Sequence, residues 1–211
     1  MEYVKQNGYL VHPSFADTNR KKTPASSEDS IADFLAAIEI LDVNRINYCV
    51  THGTCLGLIR DQNLIPWDFD ADIGVIINEN RSEAHNILRS QFEKNGFTIV
   101  KYNLRKTQLG ITRNGFIIDL NFYRKVGPLY VARWHHDFIN FNKFMGSSEV
   151  IKWNNQEIST PARVTDYLIS MYGRDWRTPK HYNFRFGRVY LHIIQKIWFL
   201  LIAFTSKRLS S

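Results

Sequence analysis

Asp68, Asp70 and Asp72 alternate through the stretch PWDFDADIG at 66–74, directly ahead of an apolar run. Alternate residues of a strand share a face. Asp70 and Asp72 therefore stand on one side, with Cβ atoms about 7 Å apart, twice the strand rise. Two carboxylates at that span repel, and one tends to keep its proton unless a cation lies between them. Magnesium suits such a place, because it takes one or two carboxylates, keeps several waters and adds phosphate oxygens. The competing reading is a solvated acidic face on an edge strand. The flanking pattern favours the cation: Phe69, Ala71, Ile73, Val75 and Ile77 supply a core face, and Ile76 follows the acids on their own face. The charge is thus confined to the start of the strand, beside the Pro66 turn, and sites on open sheets gather at strand ends.

A third acid, Asp119 in FIIDLNF, is the one charge in its segment. A buried acid is costly without a partner, so Asp119 needs a cation or a salt bridge, for which Arg113, Arg124 and Lys125 are the nearby candidates. If its strand lies beside 70–77, it completes a three-carboxylate site. Upstream, HGTCLGLIR offers Gly53 for a tight turn and Thr54 at a helix start, where backbone N–H groups can hold a phosphate.

The elements that must position these residues are legible in outline. Ser27 ahead of Glu28 and Asp29 is a helix cap, and Ile31, Phe34, Leu35, Ile38 and Leu41 follow at helical spacing, which predicts a helix over 28–44. Strands are predicted at 46–52, 70–77 and 97–102, and a short helix at 53–60. Pro66 keeps 61–67 a loop. A helix over 80–96 stops at Gly96. Residues 109–123 read as two strands around Asn114-Gly115, a strong hairpin signal. The order α-β-α-β-α-β-β-β predicts an α+β fold, a mixed sheet flanked by helices. Past Gly127 the pattern weakens, except for a helix in 159–173 with a proline entry and a glycine stop. The chain divides into a polar lead-in (1–27), partly ordered by Tyr3, Tyr9, Leu10 and Phe15, a catalytic domain (28–180) and an apolar, basic C-terminal helix (181–211).

Composition narrows the function classes. The 211 residues are 44% hydrophobic and 14% aromatic, enough for a sizeable core, and the formal charge of +7 suits anionic partners. Cys49 and Cys55 fit neither a disulfide framework nor a zinc knuckle and read as buried thiols. The opening MEYVKQNGYLVHP lacks the apolar core of a signal peptide, so a cytoplasmic location is expected. Ile197–Phe204 is wholly apolar but short of a bilayer span. Over 188–208, basic and apolar residues fall on opposite sides of a helix, which fits a peripheral helix on an anionic leaflet and equally a helix docked on the core or on a second copy. His135 and His136 are adjacent and face different ways, so they read as ordinary histidines. His52 could reach the site or simply end its strand. Trp134 and Trp153 read as core, Trp67 as a prop for its loop, and the basic residues at 19–22 as a solvated stretch.

Gly53-Thr54, Asp70-Ala71-Asp72 and Asp119 together resemble the nucleotidyltransferase fold: a small glycine motif after a strand, an Asp-x-Asp on the next strand and a distant third Asp. The wording GTCLGLIRDQNLIPWDFDADIGV is similar to the signature of the LicD family, to which fukutin and fukutin-related protein are also similar, and MYGRDWRTPK resembles that family's second motif. The likeness spans about 30–180. Cys55 departs from it, standing where the family has an aliphatic residue. The resemblance implies a Mg²⁺-dependent phosphotransferase, with Mn²⁺ as a substitute ion. It would move phosphocholine, ribitol phosphate or a similar group from a CDP-linked donor to a hydroxyl of a glycan or lipid-linked glycan, releasing CMP. Carried over by position, Asp70, Asp72 and Asp119 are the catalytic and metal-binding carboxylates, Gly53 and Thr54 touch donor phosphate, and Arg60 and Asp68 complete the donor site. The acidic motif alone serves equally a nucleotidyltransferase acting on an NTP. A third reading is a catalytically spent module that binds nucleic acid or membrane. Three intact, mutually repelling acids count against it, and nucleic acid is not an expected partner.

Overall fold

The computed structural model describes residues 2–17, 22–78, 80–103, 105–132 and 139–179, with the backbone alone at 139–141. His135, His136, Trp134 and the 181–211 segment, with its proposed membrane helix, lie outside the described residues.

The predicted elements of the first two thirds are present. Helix α2 (Glu28–Val43) starts at Ser27, whose hydroxyl accepts the Ser30 N–H. Strand β3 (Tyr48–Val50) leads into α3 (His52–Arg60), and β4 spans Asp70–Ile77. Helix α4 (Arg81–Lys94) is capped by Asn80. Strands β5 (Thr98–Asn103), β6 (Gln108–Thr112) and β7 (Ile117–Val126) follow, the last two joined through Gly115 at φ +93°. The main sheet also includes β1 (Val4–Gln6), β2 (Tyr9–Val11), β8 (Leu129–Val131) and β9 (Ile139–Phe141). Its order runs β1-β2-β5-β6-β7-β4-β3, with β8 and β9 extending the far end of β7. β4 and β7 are parallel, and the other pairs in the sheet are antiparallel. A short helix α1 (Pro13–Ala16) follows β2, α5 (Asn142–Met145) follows β9, and a separate hairpin of β10 (Ser148–Trp153) and β11 (Gln156–Pro161) precedes helix α6 (Val164–Tyr172).

Burial on β4 follows the alternation that the sequence displays. Ala71, Ile73, Val75 and Ile77 are buried, with Phe122, Ile118 and Leu120 of β7 in the same core. α2 is tied to this sheet by a polar latch. Asp33, fully buried, accepts from Arg113 Nε (2.9 Å), the Asn114 N–H (2.8 Å) and Asn114 Nδ2 (3.0 Å). The β6–β7 turn is thereby clamped to the helix, and β7 with it.

Three expectations are corrected. Phe69, assigned to the core face, is 42% exposed because it precedes β4 and lies under the Lys22 ammonium instead. Residues within the polar lead-in form β1 and β2, which add the sheet's outer edge: β2 pairs with β5. Pro161 ends β11 rather than opening a helix; α6 begins after Arg163, which takes a left-handed conformation.

Candidate active site

One row of residues runs straight across the sheet. Lys101 on β5 pairs with Gly110 on β6, Gly110 with Asp119 on β7, and Asp119 with Asp72 on β4. The Thr51 N–H, just past β3, then donates to the Asp72 carbonyl at 3.0 Å. Neighbours in a row point to the same face, so Asp72 and Asp119 stand side by side. Asp70, two residues along β4, shares that face. The sequence made a three-carboxylate cluster conditional on the Asp119 strand lying beside 70–77, and parallel pairing of β4 with β7 meets that condition.

Each acid is held differently. Asp119 is 5% exposed, and its Oδ2 accepts from Lys101 Nζ (2.7 Å) and Gln108 Nε2 (2.9 Å). Gln108 in turn accepts from the Tyr9 hydroxyl at 2.7 Å. The partner of Asp119 is thus Lys101 and not Arg113, Arg124 or Lys125: Arg113 is committed to Asp33, and the sheet register brings Lys101 across. Gly110 makes this contact sterically open. A Cβ there would lie 2.6 Å from Lys101 Cγ and 2.9 Å from Asp119 Oδ1. Asp72 accepts from Asn121 Nδ2 at 3.0 Å, and its backbone N–H donates to Thr54 Oγ1 at 2.8 Å. Burial, then the charges of Asp119 and Asp70, raise its carboxyl well above the ordinary range. Asp70 is also raised, by burial and Asp119, against the pull of Lys101 and Lys22. Asp68 is raised by burial and Asp70.

The start of α3 lies against this row. His52 carries the left-handed backbone, at φ +50°, and its N–H donates to the buried Tyr167 hydroxyl of α6 at 3.1 Å. Gly53 was expected to supply that turn. It instead leaves room for Asp68, whose Oδ2 would be 2.8 Å from a Cβ at that position. Thr54 is fixed on the Asp72 backbone. Arg60 points elsewhere: its Nε and Nη2 grip Asp61 at 2.7 and 2.6 Å. Gly53, Thr54, Asp68, Asp70, Asp72 and Asp119 are thus gathered at one end of β4 and β7, and Arg60 is paired with Asp61 while its charge acts on Asp68.

Sequence reasoning missed Lys101, Gln108 and Asn121, which carry the hydrogen bonds of the acids. Two buried acceptors, Asp119 Oδ1 and Asn121 Oδ1, have no hydrogen-bond partner, and buried acceptors of this kind are rare without a ligand or water. Among the described residues no three His, Cys, Asp or Glu side chains close into a ready cage for a metal. A small divalent ion fits the arrangement without one. It needs one or two carboxylates, with water and phosphate filling the rest, and it would offset the repulsion that raises Asp70 and Asp72. Among the described residues, no helix is long and apolar enough to cross a membrane.

An uncharacterised protein of Rickettsia prowazekii is 36% identical over 122 residues, 53% of this chain and 45% of that protein. The human ribitol-5-phosphate transferase FKTN is 22% identical over 173 residues, 78% of this chain and 37% of that protein. The chain spans less than half the length of these curated relatives. Among solved structures, the lincomycin-bound lincosamide adenylyltransferase LnuA aligns at a TM-score of 0.45 with 8% identity, over 62% of this chain and 78% of that one. The antibiotic-resistance factor ANT(2'')-Ia aligns at 0.47 with 10% identity, over 85% and 97%. The family model described as "LicD/FKTN/FKRP, nucleotidyltransferase domain" matches residues 45–192, a span that contains the whole acidic row, and the chain belongs to that family.

Proposed function

We propose that this protein is a divalent-metal-dependent phosphotransferase that moves a phosphorylated small alcohol from a CDP-linked donor to a glycan hydroxyl, releasing CMP. The observation that carries the reading is the side-by-side placement of Asp72 and Asp119 in one row, with Asp70 on the same face and the start of α3 bound to the Asp72 backbone. Family membership, and the similarity to FKTN, a ribitol-5-phosphate transferase, support a phospho-alcohol as the transferred group.

Asp70 and Asp72 hold the ion, magnesium by the preference of carboxylate sites, with manganese able to replace it. That ion supplies charge compensation for the donor diphosphate and the departing CMP. Asp70 keeps access to solvent, which leaves its carboxylate open to an incoming ion, whereas Asp72 is half-buried and anchored by Asn121. Thr54 accepts from the Asp72 N–H through its oxygen, so its hydroxyl proton remains to donate to donor phosphate. Asp119 Oδ1, unpaired, accepts the proton of the acceptor hydroxyl as its oxygen attacks the β phosphorus and the bond to CMP breaks. Asp68 beside Gly53 borders the donor site, and Arg60, bound to Asp61, contributes charge from a distance.

The products decide between this reading and its rival. Incubation with CDP-choline, CDP-ribitol, CDP-glycerol or CTP, with a glycan acceptor and Mg²⁺, should release CMP from one of the CDP-alcohols. Release of pyrophosphate from CTP, with no CMP from any CDP-alcohol, would make the chain a nucleotidyltransferase instead.

A further inference from the structure

Lys101 is the feature of the acidic row that the proposed reaction leaves unused. It comes from a strand two places removed from Asp119 and reaches it only by crossing Gly110, a residue without a side chain. Its Nζ lies 2.7 Å from Asp119 Oδ2, and Gln108 fixes the same oxygen from the β6 side at 2.9 Å. The other oxygen of that carboxylate, buried in a residue 5% exposed, has no partner. Asp119 therefore has one oxygen already neutralised by a cation and one buried without a hydrogen-bond partner. The Lys101 charge also acts on Asp70 and Asp72, though its contact is with Asp119.

We infer that Lys101 is a built-in second cation: its ammonium, laid across Gly110, occupies the side of Asp119 that a second divalent ion would otherwise take, so the site binds a single ion, at Asp70 and Asp72. The inference rests on the metal reading above. Its physical basis is charge balance. Three carboxylates carry three negative charges, and one divalent ion with one ammonium cancels them, whereas two divalent ions together with Lys101 would leave the row with a net positive charge before any donor binds. The ammonium and the Gln108 amide together hold Asp119 Oδ2 from two sides, and Oδ1 is left buried without a hydrogen-bond partner. Lys101 on this account is a positioning residue, acting through Asp119.

Manganese binding to the full chain, read by the loss of the free-ion electron paramagnetic resonance signal, tests it without any substrate. The wild-type chain should take one Mn²⁺. Lys101→Met should take two. Because Lys101→Met strands a buried carboxylate and can compromise folding, Lys101→Gln provides a second route: it keeps a polar side chain beside Asp119 but removes the charge, and it too should raise the count from one to two, with the far-ultraviolet circular dichroism of the wild type. Two ions on the wild-type chain, or one on a folded Lys101→Gln or Lys101→Met chain, would overturn the inference and leave the metal-dependent reaction standing. A wild-type chain that binds no Mn²⁺ would overturn both.

Discussion

Replacing Asp72 by Asn should make the protein more stable while abolishing its activity, and the size of the gain follows from the row. Asp72 and Asp119 face each other on strands about 4.8 Å apart. Two carboxylates about 5 Å apart repel by about 3 kcal/mol at an effective dielectric constant near 20. The Lys101 ammonium beside Asp119 offsets part of this, and the Asn121 hydrogen bond can be kept by the amide oxygen of Asn. A net gain of about 1–2 kcal/mol remains for the metal-free protein. At about 2–4 °C per kcal/mol for a domain of this size, the melting temperature in EDTA should rise by about 2–8 °C. The pH dependence has a definite sign. The folded state raises the Asp72 carboxyl well above its ordinary value of 3.8. Wild-type Asp72 therefore costs no stability below that ordinary value, and the cost grows as pH climbs through the raised folded value. The advantage of Asp72→Asn should be largest near pH 8 and vanish near pH 4. Differential scanning fluorimetry of both chains in EDTA across that range is the assay. An Asp72→Asn protein that melts at or below the wild type at pH 8 would refute the claim that this carboxylate is held under repulsion.

Other consequences are simpler to read. Asp33→Ala leaves the Asn114 N–H and Arg113 without their acceptor beneath the β6–β7 turn, and urea denaturation should show a loss of about 3 kcal/mol. Thr54→Val removes the acceptor of the Asp72 N–H with little change of shape; it should cost about 1–2 kcal/mol of stability by the same measurement and weaken Mn²⁺ binding. Burial pushes the Cys49 thiol up to about 12 and raises Cys55 as well, so neither should react with a thiol reagent at pH 8 until denaturant is added. Reaction of either thiol in the native protein would show that the core between β3 and α3 is open.

The parts legible in the sequence were those set by local chemistry. Ser27 caps its helix because its side chain reaches a backbone N–H three residues on, and Asn114-Gly115 turns because glycine takes the positive φ. The acidic strand showed itself through alternation, and β4 keeps its predicted bounds. What register decides was not legible. Lys101 and Gln108 are separated from Asp119 by 18 and 11 residues and meet it only because β5, β6 and β7 align as they do. Nearer basic residues were reasonable candidates in the sequence, but Arg113 is drawn away by Asp33 on a helix 80 residues earlier. The edge hairpin of β1 and β2 has three-residue strands, too short for a periodic signal. The β10–β11 hairpin did carry one: Asn154 and Asn155 both take positive φ, the requirement of a two-residue hairpin turn, and asparagine tolerates it. Gly53 shows the opposite error, where a glycine that looked like a turn residue is there so that Asp68 can come close.

The central claim is that Asp70 and Asp72 hold a divalent ion that grips a cytidine diphosphate. Isothermal titration of CDP into the protein, with Mg²⁺ and then with EDTA, tests it directly, using wild-type and Asp70→Asn chains. The account predicts binding by the wild type with Mg²⁺ and a loss of at least tenfold in affinity on adding EDTA or on introducing Asp70→Asn, a difference of about 1.4 kcal/mol or more. Equal affinity for CDP with and without the ion, or an Asp70→Asn chain that binds as the wild type does, would contradict it.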